Sequence, residues 1–577
     1  MNHSRYGNNG NPEAIYPIYT EATECHDCYK CVRQCPVKAI RIENGVASVL
    51  SNRCIACGHC VQVCPSRAKR VRNDLSRAVD LLAGESRVYV SLAPSWRGLF
   101  PEWSASSLVT ALKTLGVTEV SETALGAQEV SAAVAEQISQ EEKGLFISSA
   151  CPAVVDYIRR YHPWTANRIV SLASPALTHC AMLRKLFGED IRVIFIGPCV
   201  AKKNEADRHP ELLDCALTFE ELRILLDDQN LVPSKFAGSQ EHFIPETAAE
   251  GAIYPIEGGM LETIRRCDVD SKVLLQSISG IPLLAESLDH LREMRSERPI
   301  FLEALACPGG CINGPFATRA SHLAATTGIL EQANYREREK RSPVVRVEME
   351  YEPLRVEEEV PDEASVRKAL LSLGKTSPAD ELNCSGCGYE SCREFAKALV
   401  RGDAEPEQCV SHMRRVATRK ANALLRCIPA GIAIVDSNLL IVESNEAFSR
   451  LFGEEIIQLY QDVPGLEGAD ITTLLPCGPL FEAALRQGED IRREHYPVGD
   501  QLLDLTIFTI DPGKTIGVVV QDVTETELGR EQIAERADEV ISRNIAIVQE
   551  IASRLGEHMA DTEILLDSIS RGYRKKK

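Results

Sequence analysis

From about Val79 to Arg341, short apolar runs alternate with stretches whose apolar residues recur at helical spacing. The runs at 88–92, 144–147 and 191–196 predict strands, while 108–115 and 176–187 predict helices. Such alternation predicts α/β units with parallel strands, and open sheets of this kind bind ligands beyond their carboxyl ends. Upstream, residues 39–49 alternate apolar and polar positions around Asn44-Gly45, a hairpin signal. The polar stretch 234–254 reads as a surface loop, and the charged stretch 336–361 as a divider in which 344–351 alternates enough for a short strand. Further on, 431–436, 439–445, 502–510 and 515–523 predict strands and 446–452 a helix. Beyond Glu525 one long helix is predicted to about Ile569, with Ile533, Ala537, Val540, Val548, Ile551, Leu555, Met559, Leu566 and Ile569 on one stripe. That stripe is either packed on its own domain or the seam of a coiled coil.

A chain of 577 residues predicts about four domains. A formal charge of -19 speaks against direct nucleic-acid binding, which needs a basic face. The terminal RGYRKKK (571–577) is basic but short and reads as a solvated tail. The first fourteen residues lack a basic segment followed by an apolar one, and no apolar run approaches membrane-spanning length. The expectation is a cytoplasmic protein without a membrane span. In that setting 21 cysteines point to metal ligation rather than disulfides. Sixteen of them fall into four sets of four, and Cys180, Cys215, Cys267, Cys427 and Cys477 stand alone as expected core residues.

Residues 25–36 read C-x2-C-x2-C-x3-C-P, and 54–65 repeat the pattern at an offset of 29. The doubled run resembles the bacterial two-cluster ferredoxins, in which the fourth cysteine of each run ligates the other run's cluster. The resemblance implies one 4Fe-4S cluster on Cys25, Cys28, Cys31 and Cys64, and a second on Cys54, Cys57, Cys60 and Cys35. Structural zinc is the alternative, but zinc sites do not ask for the C-P ending. A third set, Cys384-x2-Cys387-x4-Cys392 with Cys409 after sixteen residues, resembles a small 4Fe-4S domain of electron-transfer proteins. Zinc is a stronger rival there. Residues 391–401 predict a helix carrying Cys392, ended by Gly402-Asp403.

The fourth set is spread over three stretches. LEALACPGGCINGP (302–315) places Cys307 and Cys311 around a Pro-Gly-Gly turn, where two residues without Cβ let the backbone fold tightly and approach a bulky ligand. FISSACPAVVDY (146–157) ends an apolar run on Cys151-Pro152, and VIFIGPCVAKKNE (193–205) ends another on Pro198-Cys199. Together they resemble the three signature motifs of the iron-only (FeFe) hydrogenases. The resemblance implies that Cys151, Cys199, Cys307 and Cys311 hold a 4Fe-4S cubane, with Cys311 bridging to a di-iron subcluster that carries CO, cyanide and dithiolate ligands. It also implies that Lys202 hydrogen-bonds a cyanide, that Pro198 flanks the cofactor, and that Glu205 completes a Pro-Cys-x-x-Lys-x-x-Glu pattern. Gly258-Gly259 ahead of 260–265 resembles the family's glycine pair before a helix over the cofactor, and Ser174 matches a serine of its proton path. The departures are Ala150 in place of the proton-relay cysteine, and Gly197 and Leu305 in place of two methionines. Acidic residues of the upstream proton path have no counterpart in 123–134. These substitutions resemble the sensory branch of the family.

Residues 422–525 resemble a PAS domain, a binding or dimerising module of signalling proteins; His495 is expected at its surface. The fold class is thus multidomain α/β and α+β: a ferredoxin-like domain (1–78), an α/β hydrogenase-like domain (79–342), a small Fe-S domain (343–415), a PAS domain (416–525) and a C-terminal signalling or dimerisation helix (526–577). Four 4Fe-4S clusters and a di-iron unit are implied. The implied partners are H2 and protons, a redox protein or hydrogenase subunit, a kinase- or phosphatase-type signalling protein, and a second copy through the PAS domain and helix. Three readings follow: a hydrogen or redox sensor of low turnover, a working hydrogenase, and an electron-transfer protein without the di-iron unit. The complete ligand set with Lys202 counts against the third, and Ala150, Gly197 and Leu305 count against the second, which leaves the sensor as the expectation.

Overall fold

The structure is a computed structural model that describes residues 16–292, 296–317, 321–335, 337, 340–356 and 359–574. The leader expectation, on the first fourteen residues, and the last three positions of the basic tail lie outside the described residues. Two compact units divide the chain at Met413.

The first unit begins with β1 (Ile18–Thr20), the hairpin β2 (Ile40–Glu43) and β3 (Val46–Val49), and β4 (Lys69–Val71), with β1 antiparallel to β4. Asn44 and Gly45 both have positive φ, as the two-residue turn requires. Next come β5 (Val88–Leu92), β6 (Glu119–Glu122), β7 (Gly144–Ile147), β8 (Arg192–Gly197), β9 (Cys215–Thr218), β10 (Leu274–Ser279) and β11 (Pro299–Leu305). They form two wholly parallel sheets, ordered β6-β5-β8-β9 and β10-β11-β7. Every residue of β5 and of β11 is buried, the signature of parallel strands covered on both faces. Helices Ala105–Thr114 and Pro175–Phe187 fall where the periodicity places them, each capped by a serine hydroxyl.

Three expectations need correction. The stretch 234–254 is surface only at first: Phe243 and residues 248–254 are buried, and Phe243 packs against Trp96 at 5.7 Å between ring centroids. Apolar side chains within a polar stretch draw it onto the core. Residues 344–351 form a single antiparallel bridge, Glu348 to Leu172, rather than a strand, because only the short extended edge 171–173 faces them. Cys427 is exposed instead of buried, whereas the other four lone cysteines are buried.

Residues 363–413 complete this unit with helices Glu363–Ser372 and Cys392–Val400; the second is capped by Ser391 and followed by Gly402 at φ 71°. The second unit holds an antiparallel sheet of β12 (Gly431–Asp436), β13 (Ile441–Ser444), β14 (Ile491–Val498), β15 (Gln501–Asp511) and β16 (Thr515–Asp522), in the order β13-β12-β16-β15-β14. Alternate residues of β12 are buried against Phe448 and Phe481. His495 is exposed. Helix Thr524–Arg574 follows, and from Arg530 to Gly572 every side chain is exposed, so the stripe is uncovered within the chain.

One buried ion pair anchors the site-bearing end of the first unit. Glu122, fully buried, pairs with Arg97 and accepts from Trp96 Nε1 (3.2 Å) and the Ala248 amide (2.9 Å). Truncating it leaves a guanidinium and two donors without their partner inside the core. We expect Glu122→Ala to lower stability by about 3–5 kcal/mol, read as a shift of the guanidinium unfolding midpoint of the full chain.

Candidate metal centre

None of the 21 cysteines is joined in a disulfide. Among the described residues no three His, Cys, Asp or Glu side chains close to the spacing of a single-ion site; the cysteine sets surround larger spaces. Cys35, Cys54, Cys57 and Cys60 line one small cavity. Thus the fourth cysteine of the first run stands with the first three of the second, and the negative groups acting on Cys31 are Cys28, Cys64 and Cys25. The crossover arises because each run turns through a short helix, Lys30–Gln34 or His59–Val63, which carries its last cysteine across to the other run. Cys387 has Cys409 and Cys384 as its charged neighbours. Cys392 opens its helix, with its amide donating to Asn383 Oδ1 at 2.8 Å beside Cys384.

The remaining set lies at the carboxyl ends of three parallel strands from the two sheets. Cys151 follows β7 and precedes helix Pro152–Tyr161, with proline at the first helical turn. Cys199 follows β8, and Cys307 and Cys311 follow β11. Gly309 and Gly310 have φ of 75° and 104°. A Cβ on Gly310 would stand 2.3 Å from the Pro255 carbonyl oxygen, so the tight approach there is to backbone. Two adjoining cavities result. The four thiols surround one of about 30 Å³ that no carboxylate or imidazole lines, a soft donor set that fits an iron–sulfur cluster. The other, about 100 Å³, is walled by Ala150, Pro198, Phe195, Leu305, Met260 and Lys202 among others. Cys151, Cys199 and Cys311 border both. Burial pushes the Cys199 thiol up to about 11, with Cys151 a second cause, and raises Cys311 further. Cluster insertion must therefore displace protons from these thiols. Cys57 adjoins this set: it borders the smaller cavity, and burial together with Cys54, Cys35 and Cys151 pushes it to about 12.

The departures have visible consequences. A Cβ at Gly197 would stand 2.7 Å from the Phe195 ring and 2.8 Å from Ala93 Cβ, so Phe195 occupies the volume a methionine there would need. Ala150 lines the larger cavity with a methyl group and nothing ionisable. Lys202 is buried; its Nζ donates to Glu205 Oε2 (2.6 Å) and Ser174 Oγ (2.8 Å), which leaves one of its three protons for a guest in the cavity.

Three lining residues escaped the sequence reading. Ser95 Oγ is buried, lines the cavity and has no hydrogen-bond partner among the described residues, so a donor awaits a guest. Tyr254 lines it with its hydroxyl paired to Ser131 at 2.7 Å. Glu303 is the only carboxylate in the wall. It accepts from the amides of Gly258 (2.6 Å) and Met260 (3.0 Å), yet burial pushes its carboxyl up to about 7. The only signal in the sequence was an acid in the middle of an apolar run.

Residues 86–315, which carry all four of these thiols and Lys202, match the family described as Iron only hydrogenase large subunit, C-terminal domain. The chain is an FeFe-hydrogenase-like iron–sulfur protein. Its hydrogenase-like part is preceded by a match to the 4Fe-4S dicluster domain at 17–65 and followed by an Fe-S cluster family match at 380–411. It is 25% identical over 290 residues to Iron hydrogenase 1 of Clostridium pasteurianum, covering 41% of this chain and 50% of that protein. It is 33% identical over 108 residues to the Cytosolic Fe-S cluster assembly factor NAR1 of Debaryomyces hansenii, covering 16% of this chain and 20% of that factor. The chain thus spans half or less of the length of these relatives. A solved FeFe-hydrogenase from Chlamydomonas reinhardtii aligns at TM-score 0.40 and 16% identity, over 49% of this chain and 99% of that one.

The crossed cysteine sets of the hydrogenase-like chain give a direct test. Cys35→Ala should cost iron equivalent to one cluster, about four atoms per chain, and should remove the signal of the cluster beside Cys57. Metal analysis and EPR of the reduced protein check both, since uncrossed sets would lose the outer cluster instead.

Proposed function

We propose that this chain is a hydrogen or redox sensor, built on a hydrogenase site whose proton exit has been altered. One observation carries the reading: Cys151, Cys199, Cys311 and Lys202 line one cavity beside the four-thiol space, while Ala150 leaves its wall without the relay thiol. When bound, the di-iron group would supply reversible H2 splitting. The chain's residues do the rest. Cys311 borders both cavities and would join cluster to di-iron unit. Lys202 Nζ, held by Glu205 and Ser174, and Ser95 Oγ would orient polar ligands, and the apolar wall of Pro198, Phe195, Leu305 and Met260 excludes water. With no thiol at position 150, Glu303 is the carboxyl that can hold and pass a proton at the cavity, and Glu257 outside it interacts with the same carboxyl. Cys57, which borders the cavity of Cys151 and Cys307, would hold the neighbouring cluster with which this site could exchange electrons.

The sensing half of the proposal rests on the second unit. Its five-stranded antiparallel sheet, the packing of Phe448 and Phe481 on it, and the long exposed helix support a PAS module that pairs with a second copy or a signalling protein. Sensing needs only that the cofactor's state bias an equilibrium, so slow turnover suffices. The second reading, an iron–sulfur protein without the di-iron unit, is favoured by the likeness to NAR1 alone.

Infrared spectra of anaerobically matured protein, under argon and then H2, separate the two. Bands in the CO and cyanide region that shift with H2 support the sensor, and intact clusters without bands support the second reading. Ala150→Cys is expected to raise H2 evolution. Glu303→Gln should keep the bands but slow H2/D2O exchange by roughly 10²-fold, the usual scale of a general acid–base group. An unchanged exchange rate would remove Glu303 from the route.

A further inference from the structure

The cysteine-rich modules of the first unit are not strung in a line. The 384–409 module follows the hydrogenase-like part in sequence, yet it docks on the ferredoxin-like hairpin. Asp403, buried, pairs with Arg53 (2.6 Å), Arg401 (3.0 Å) and Arg41 (3.6 Å), and its carbonyl accepts from the Ile42 amide at 3.0 Å. Glu405 accepts from the turn amides of Asn44 (2.6 Å) and Gly45 (3.3 Å). A Cβ on Gly388 would stand 3.0 Å from the Arg33 amide nitrogen, so the two backbones touch one residue after Cys387. Cys387, Tyr389 and Cys409 share a packed core with Cys35, Cys54 and Cys60.

Lys38 lies in this seam. Its Nζ donates to the Arg33 carbonyl (3.4 Å); burial works against its charge, which Cys35 of one module and Glu390 and Cys387 of the other favour. A cation placed there faces one thiolate ligand of each cluster.

We propose that the 384–409 module is a second electron port, which enters the relay at the Cys35/Cys54/Cys57/Cys60 cluster with Lys38 as the counter-charge shared by both. With clusters bound, Cys384, Cys387, Cys392 and Cys409 would hold the donor and Cys35, Cys54, Cys57 and Cys60 the acceptor of a single electron; no bond would form or break, and a low-potential one-electron donor would replenish the first. Passage onward is short, because Cys57 adjoins Cys151 and Cys307. Nearby charge and burial set cluster potentials, so a shared cation makes both clusters easier to reduce. It also couples them, since an electron on either one offsets part of the charge that favours an electron on the other.

The test is an EPR-monitored redox titration of the full chain with its clusters in place and dithionite as reductant. Lys38→Met should lower the reduced-to-oxidised ratio of both clusters together at fixed poise, by roughly tenfold, or about 59 mV for one electron. Lys38→Arg should restore both, and the Cys25/Cys28/Cys31/Cys64 cluster should not move. In the parent protein, fully reduced, the small-module signal should be broadened by its neighbour and should sharpen in Cys35→Ala. A shift confined to one cluster, or an unbroadened parent signal, would overturn the proposal, and the second readout stands even if Lys38→Met fails to assemble.

Discussion

The structure depends on bringing four thiols from three strand ends to one point. No single sheet does this, because β7 and β11 belong to one parallel sheet and β8 to another. Parallel strands can be buried on both faces only where crossover helices cover them, and those helices begin at the carboxyl ends, where Cys151 and Cys199 stand. The strand ends therefore supply rigid positions for ligands, and the turn at Gly309 and Gly310 brings the last two thiols back to them. Desolvation makes Cys199 and Cys311 resist ionisation even with Lys202 nearby, so binding iron there must displace their protons.

The same packing fixes the neighbouring cluster set. Gly58, at φ 78°, leaves no room for a Cβ, which would lie 2.6 Å from Pro315 Cγ and 3.1 Å from Val200 Cγ2. Gly58 follows Cys57, Val200 follows Cys199, and Pro315 closes the loop of Cys311, so this contact between modules falls beside three cysteines of the two sets. That contact holds the two thiol sets side by side, and Gln62 adds a hydrogen bond to the Gly314 carbonyl at 3.4 Å. Asp403 and its arginines do for the small module what Gly58 does for the hairpin end, by charge rather than by shape.

Much of this was legible in the sequence because metal ligation leaves little choice of residue. Spacing marked the doubled run and the 384–409 set, and the resemblance to the hydrogenases joined Cys151, Cys199, Cys307 and Cys311; the β-branched runs of β5 and β8 were equally plain. What escaped depends on three dimensions. Strand β11 begins at a proline and contains an acid, both weak strand signals, yet it lies between β10 and β7 and is fully buried. The filling of the space beside Gly197 by Phe195 comes from a residue two positions away on the same strand, which no spacing rule announces. The stretch 234–254 looked like a surface loop because its composition is polar, while its few apolar residues determined where it packs. For the last helix the stripe is plain, but an apolar stripe identifies a face without identifying what covers it.

The replacement of a thiol by Ala150 acquires its meaning from what remains around it. A cavity that had lost its purpose would have no reason to keep a buried lysine paired on two sides, an unpartnered serine hydroxyl and a carboxyl poised near neutrality. Burying such groups costs free energy unless something answers them. The carboxyl at this cavity lies not in the loop before Cys151 but in the interior of β11, where Glu303 is held by the amides that open helix Gly259–Arg266. Glu303 stands on the central strand of its sheet, a more rigid position than a loop, and Glu257, outside the cavity wall, interacts with the same carboxyl. A slow proton exit is what the proposed sensing role would ask of such a site, since its state would have to persist long enough to be passed on.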